Sequence, residues 1–127
     1  MSRLTRTICL DFDGVICESR GKYIKPDVIE GEPIPGAQEA IDYMRIIEGY
    51  RIVVYSSRCN WRIGIEAIRA WLSTHNIVVD QICENKPLAH VYVDDRGVCF
   101  NGNWRQTITD ITAFRQWQGK RNFDISH

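Results

Sequence analysis

The chain has 127 residues, of which 44% are hydrophobic, 25% charged and 10% aromatic. That composition excludes a disordered, collagen-like or low-complexity protein, and a domain of this size buries roughly two-thirds of its unfolded surface, enough for a core without disulfides or a structural metal. Sixteen Lys and Arg balance sixteen Asp and Glu, which argues against a dedicated duplex-DNA binder, whose phosphate contacts call for a basic excess.

No apolar run approaches the ~18 residues that span a bilayer, and the first residues, MSRLTRTICLDFD, lack a signal-like apolar stretch, so no membrane partner is expected. The five cysteines, Cys9, Cys17, Cys59, Cys83 and Cys99, are odd in number and irregularly spaced, without a CxxC. They read as thiols of a reducing, cytoplasmic compartment, with Cys9, Cys83 and Cys99 packing as small hydrophobes.

In chain order, Thr7 to Leu10 is a short apolar run ending at Asp11, a buried strand. Residues 14–34 hold three glycines, Pro26 and Pro33 and no helical period, and read as a flap or binding loop. Pro35 opens a first helix with Ala37, Ala40, Ile41, Met44 and Ile47 on its apolar face and Gly49 as its stop. Arg51 to Tyr55 is a second strand, ending at Ser56-Ser57-Arg58. Asn60 is placed to cap a second helix carrying Trp61, Ile65, Ile68 and Leu72, which Asn76 ends. Ile77 to Cys83 contains a third strand and Val91 to Val93 a fourth, running into Asp94-Asp95-Arg96; Gly97 to Phe100 is a candidate fifth. A last helix spans about Thr109 to Gln118 with Ile111 and Phe114, stopped by Gly119. Strands alternating with helices predict a single α/β domain over 1–127, a three-layer, Rossmann-like parallel sheet.

The polar clusters Asp11/Asp13, Ser56, Lys86 and Asp94/Asp95 all fall just after strands, at the edge that borders the ligand crevice in such sheets. Four carboxylates converging without a cation repel one another, and a hard divalent ion such as Mg²⁺, which binds oxygen and holds substrate phosphate, resolves the conflict. With Lys86 and the Ser56 hydroxyl added, the set suits a phosphoryl group, whose oxygens need cations and donors as the bond breaks. A Ca²⁺ loop starting at Asp11 is excluded, because its twelfth position is Lys22 rather than Glu.

The ordered set Asp11-Phe12-Asp13-Gly14-Val15, Ser56, Lys86 and Asp94-Asp95 resembles the haloacid dehalogenase superfamily, mostly phosphatases, over residues 7 to 96. The stretch KPLAHVYVDDR, with Gly102-Asn103-Trp104 after it, is similar to small capless bacterial and phage members, and the DDR ending to the phosphatase half of polynucleotide kinase phosphatases. The resemblance implies that Asp11 is the nucleophile, forming an aspartyl-phosphate, and that Asp13 protonates the leaving alcohol and then activates water. It further implies a Mg²⁺ held by Asp11, the Asp13 main-chain carbonyl and Asp95, with Asp94 beside it, the two being interchangeable on sequence alone. Ser56 and Lys86 would meet the phosphate. Arg58 and Arg96 would either do so too or pair with a carboxylate. His75, His90 and His127 have no metal-ligand spacing, and Trp61 and Trp71 read as core or helix-face residues.

The gap between Cys59 and Asn85 holds one helix and one strand, so no cap domain fits. The expected function is therefore a Mg²⁺-dependent phosphomonoester hydrolase with an open site, acting on a nucleotide, a polynucleotide end, a phosphoprotein or, with the flap closed, a small phosphomonoester. Net charge does not favour nucleic acid, and an oligomer completing the pocket is compatible with the sequence. The alternatives are a catalytically idle binding module on this scaffold and a phospho-accepting receiver domain. The latter is disfavoured because its acidic pair precedes the acceptor Asp, whereas here the DxD comes first.

Overall fold

The computed structural model describes residues 6–19, 23–93 and 100–121, with side chains in the last helix described as far as Ala113. Among these residues the chain forms β1 (Thr7–Asp11), α1 (Ala37–Asp42, continued by a π-helical turn over Tyr43–Ile47), β2 (Arg51–Tyr55), a 3₁₀ turn (Ser57–Asn60), α2 (Arg62–Thr74), β3 (Gln81–Ile82), β4 (Val91–Val93) and α3 (Trp104–Arg121). The strands make one four-stranded sheet in the order β3-β2-β1-β4, and every pairing is parallel. The α/β class expected from the alternation is the observed one.

The sheet's centre follows from its sequence. β1 is covered on both sides by neighbouring strands and buried on both faces, as a near-continuous apolar run requires. Ile8 and Leu10, Ile52 and Val54, and Val91 and Val93 share a cluster with Ile41 and Met44 of the first helix, Ile68, Trp71 and Leu72 of α2, and Trp104 and Ile111 of α3. The alternate residues Cys9 and Val53 gather on the other face with Cys83, flanked by Tyr55, Ala89 and Tyr92. There the covering layer comes, among the described residues, from the β3–β4 connection, which carries no helix.

Several elements depart from their expected limits, each for a local reason. The first helix widens into a π-turn after Asp42, with the Glu48 amide reaching back to the Tyr43 carbonyl. That shift takes Ile47 off the apolar face, and it is 68% exposed although its spacing placed it in the core. Gly49, at φ 74°, still ends the segment. Asn60 does not cap α2. It closes a 3₁₀ turn whose own N-cap is Ser56, and the N-cap of α2 is Trp61, which is half exposed rather than part of the helix's buried face. Asn76 ends α2 in the left-handed conformation, at φ 58°. β3 is the short strand expected within Ile77 to Cys83, and just before it Asp80 meets Ile52 twice, its amide donating to the Ile52 carbonyl at 2.8 Å and its carboxylate accepting from the Ile52 amide at 2.7 Å. α3 starts earlier than expected, since Asn103 Oδ1 caps it by accepting from the Gln106 amide at 3.0 Å, and it runs through Gly119. Residues 97–99 of the candidate fifth strand and His127 lie outside the described residues, as does the side chain of Phe114.

Candidate active site

The strand register assembles the site. Asp11, the last residue of β1, pairs with Tyr55 of β2, so Ser56 follows immediately beside it, and Leu10 pairs with Val93, the last residue of β4. β2 and β4 flank β1 on opposite sides, which makes the carboxyl end of β1 the switch point where open parallel sheets bind ligands. Asp94 and Asp95 come next in sequence after Val93 but lie outside the described residues, as do Arg96 and Cys99.

Phe12 explains why two carboxylates fall on one side. It is fully buried in the helix-side cluster, edge-on to Trp71 with ring centroids 5.1 Å apart, and its neighbours Asp11 and Asp13 are only partly buried. With Phe12 turned into the core at the bend that follows β1, the acid on either side of it is left at the edge of that core. The Phe12 amide donates to Asp11 Oδ1 at 2.8 Å, which fixes the carboxylate's rotation. Beyond the pair the chain turns sharply. Gly14 takes a φ of 83°, and the Ile16 and Cys17 amides both donate to the Phe12 carbonyl at 3.0 Å.

The flap expected over 14–34 is anchored as a short antiparallel hairpin. The Glu18 amide donates to the Glu32 carbonyl and the Ile34 amide to the Ile16 carbonyl, both at 2.8 Å, and the Trp71 indole N–H donates to the Gly31 carbonyl at 3.1 Å. A cavity of about 130 Å³ remains between flap and core, lined by Asp13, Cys17, Tyr23, Val28, Gly31 and Arg58 among others.

Arg58 is the site residue whose partners the sequence does not reveal. Its side chain is 4% exposed, and it meets Asp13 in the fork geometry that matches a carboxylate, Nε donating to Oδ2 at 2.9 Å and Nη2 to Oδ1 at 3.1 Å. Nη1 donates to the flap carbonyls of Lys25, Pro26 and Val28 at 3.3, 2.8 and 2.9 Å. Of the two roles open to it, phosphate contact or carboxylate pairing, this structure holds it in the second. Ser56 is buried; its Oγ accepts from the Arg58 amide at 3.1 Å and lies 3.5 Å from Asp13 Oδ2, to which it donates. Asp13, Ser56 and Arg58 thus form one connected group beside Asp11.

Lys86 is exposed and places its ammonium over the Tyr92 ring, 4.8 Å from the centroid, on the sheet face that Cys9 and Asp11 share by alternation. The described cysteines are buried free thiols. Burial pushes the Cys59 thiol above its ordinary range; a hydrogen bond from the Ser56 main chain opposes this, and the nearby Cys83 and Asp11 add to it. Trp71 is buried, and His75, at the end of α2, packs against it with the rings tilted by 50° and their centroids 4.4 Å apart.

Fold and site together define an α/β protein with a carboxylate-bearing site at the carboxyl edge of a parallel sheet. No family model matches the chain, nor does any curated protein. Among solved structures it is similar to the D,D-heptose 1,7-bisphosphate phosphatase of B. bronchiseptica, determined with magnesium and phosphate, at 22% identity and a TM-score of 0.42, with 89% of this chain and 64% of that chain covered. This chain thus spans just under two thirds of that phosphatase's length. No described helix is long and apolar enough to cross a membrane.

Proposed function

We propose that the chain is a Mg²⁺-dependent phosphomonoesterase of the capless haloacid dehalogenase type, working through an aspartyl-phosphate on Asp11. One observation carries the reading. The register sets Asp11 at the switch point of the sheet with Ser56 next to it, and Phe12 commits its own side chain to the core while Asp11 and Asp13 stay at the surface.

The donor chemistry there fits a hard cation. The Asp11 carboxylate and the Asp13 main-chain carbonyl offer oxygen, the donor such an ion prefers. Among the described residues no three His, Cys, Asp or Glu side chains converge to hold an ion, so the remaining ligands would be water, phosphate and the Asp94-Asp95 pair. Bound Mg²⁺ would supply charge neutralisation at the phosphoryl oxygens.

The chain's own groups do the rest. The Asp11 carboxylate, held by the Phe12 amide, attacks phosphorus and forms the acyl-phosphate bond as the bond to the alcohol oxygen breaks. That oxygen takes a proton from Asp13, which carries one only once its fork with Arg58 has opened, since both Asp13 oxygens accept from Arg58 here. Water then attacks the phosphorus of the aspartyl-phosphate, giving its proton to Asp13, and inorganic phosphate leaves. The Ser56 hydroxyl and Lys86 bind phosphate oxygens. Between Cys59 and Asn85 the chain forms no more than the end of the 3₁₀ turn, α2 and β3, which leaves no room for a cap domain and supports a substrate whose bulk stays outside, such as a polynucleotide end or a phosphoprotein.

The test is a phosphate-release screen with Mg²⁺ over nucleotides, sugar phosphates, phosphopeptides and 3′-phosphorylated oligonucleotides. The wild type should release phosphate from at least one class, and Asp11→Asn should lower the rate at least a thousandfold while keeping the wild-type circular dichroism. Release by Asp11→Asn at the wild-type rate would remove Asp11 from its role. A wild type inert in every class would leave the binding-module alternative.

A further inference from the structure

We infer that Arg58 is the positioning residue of this site: a clasp that holds Asp13 and the main chain of the flap in one geometry, so that flap placement and the acid–base group change together. Its kinetic consequences rest on the phosphatase reading, but the coupling itself has a readout that needs no activity.

A guanidinium has five N–H donors in a rigid plane. Here Nε and one Nη2 hydrogen serve Asp13, and both Nη1 hydrogens are shared among three flap carbonyls, which leaves one Nη2 hydrogen among the described contacts. A residue so committed is poorly placed to be a main phosphate ligand. It is well placed to link two things that would otherwise be independent. Tyr23 closes the arrangement from the flap side, its ring 4.2 Å from the guanidinium carbon and its hydroxyl hydrogen-bonded to Ser57 Oγ at 2.9 Å. Gly64 of α2 closes it from behind, since any Cβ there would run into the Arg58 carbonyl. Burying a cation this completely is costly unless its partners are kept, so opening the flap around residues 25–28 and releasing Asp13 are each penalised while the other stays in place.

The flap's two halves make an internal control. Residues 31–34 are held by the Trp71 indole and by main-chain bonds to residues 16–18, none of which involves Arg58. Residues 25–28 are held by Arg58 through three carbonyls.

The experiment is amide hydrogen exchange on the wild type, Arg58→Lys and Asp13→Asn. Arg58→Lys keeps the charge and loses the fork, and Asp13→Asn keeps the size and loses the charge at the far end of the clasp. Both should speed exchange of the Val28 amide, which donates to the Lys25 carbonyl that Arg58 also holds, at least tenfold while leaving β1, β2 and the amides of residues 31, 32 and 34 at wild-type rates. Arg58→Lys that loses protection throughout would be a folding defect, and Asp13→Asn, which keeps the Arg58 side chain and removes only the charge at the far end of the clasp, then decides alone. Unchanged exchange of the Val28 amide in Asp13→Asn would overturn the coupling.

Where turnover is measurable, Arg58→Lys should lower kcat at least tenfold for a poor alkyl leaving group, less for p-nitrophenolate, and shift KM no more than about threefold. Free guanidinium should partly restore an Arg58→Gly variant. Equal losses for both leaving groups with a large rise in KM would instead make Arg58 a phosphate ligand and overturn the proposal. A wild type without phosphatase activity would end the catalytic reading and leave the exchange comparison to decide the clasp.

Discussion

Cys17 shares its surroundings with the two charged residues of the clasp, and its thiol reports on them. Burial pushes it up to about 11 from 9.0; Asp13 adds to the rise, and Arg58 and a hydrogen bond from the Gly31 main chain oppose it. The folded state therefore favours the neutral thiol. Its contribution to stability is complete below pH 9, where both folded and unfolded thiols are protonated, and is lost as pH rises from 9 towards 11, where the unfolded thiol ionises first. Cys59 and Cys83 are shifted in the same direction by burial, so the whole protein should lose stability over this range. Urea midpoints measured from pH 8 to 11 should fall less steeply for Cys17→Ala than for the wild type, whatever the variant's starting stability. Parallel slopes would show that Cys17 is not a source of the decline. The same residues show where sequence stops being informative. The DxD spacing and the placement of Ser56 after a strand are local patterns, and both are found where the pattern puts them. The partner of Arg58 is not local, because the residues it binds are 30 to 45 positions away and three of its acceptors are main-chain carbonyls, which carry no residue signature.

At the scale of elements, the flap depends on a close approach that only glycine permits. A Cβ on Gly31 would meet the Glu18 carbonyl and stand 2.8 Å from Cys17 Sγ, both on the opposite strand of the hairpin. Gly31→Ala should force the strands apart and weaken the Trp71 bond to the Gly31 carbonyl, at a cost of about 1–3 kcal/mol typical of overpacking. Denaturant unfolding measures the loss, and faster exchange of the Glu18 and Ile34 amides locates it. A variant within about 0.5 kcal/mol of wild type, the range of neutral surface changes, would show that the hairpin relaxes freely. Sequence marked this stretch as an aperiodic loop and did not show its pairing, since the hairpin rests on a few main-chain bonds and a missing side chain rather than on alternation. Helix limits were legible where glycine or asparagine adopts positive φ, at Gly49 and Asn76. They failed where a competing cap intervened, as Ser56 did upstream of Asn60 and Asn103 upstream of Thr109. Gly119 carries no stop because a glycine ends a helix only where the chain turns left-handed, and α3 continues through it.

For the whole molecule, the strand order is what turns separate motifs into one site. β1 was legible as a buried strand, and its central position brings the ends of β2 and β4 to either side of Asp11. A carboxylate fixed at such a point by the Phe12 amide offers a hard oxygen ligand to the proposed divalent ion, while Arg58 offsets the charge of Asp13 two residues on. The proposed Mg²⁺ should then stabilise the fold by mass action. At a free concentration ten times its Kd the gain is about 1.4 kcal/mol, or about 5 °C in Tm for a domain of this size. Asp11→Asn removes one ligand and one negative charge together. It should show less than half of the wild-type Tm shift on adding Mg²⁺, with K⁺ at matched ionic strength as the control for screening. Scanning both proteins in EDTA, in Mg²⁺ and in Mg²⁺ with phosphate checks this without any turnover. Equal Mg²⁺ shifts in the two proteins would place the ion away from Asp11, whereas a shift confined to the wild type and enlarged by phosphate would set metal and phosphate together at the end of β1.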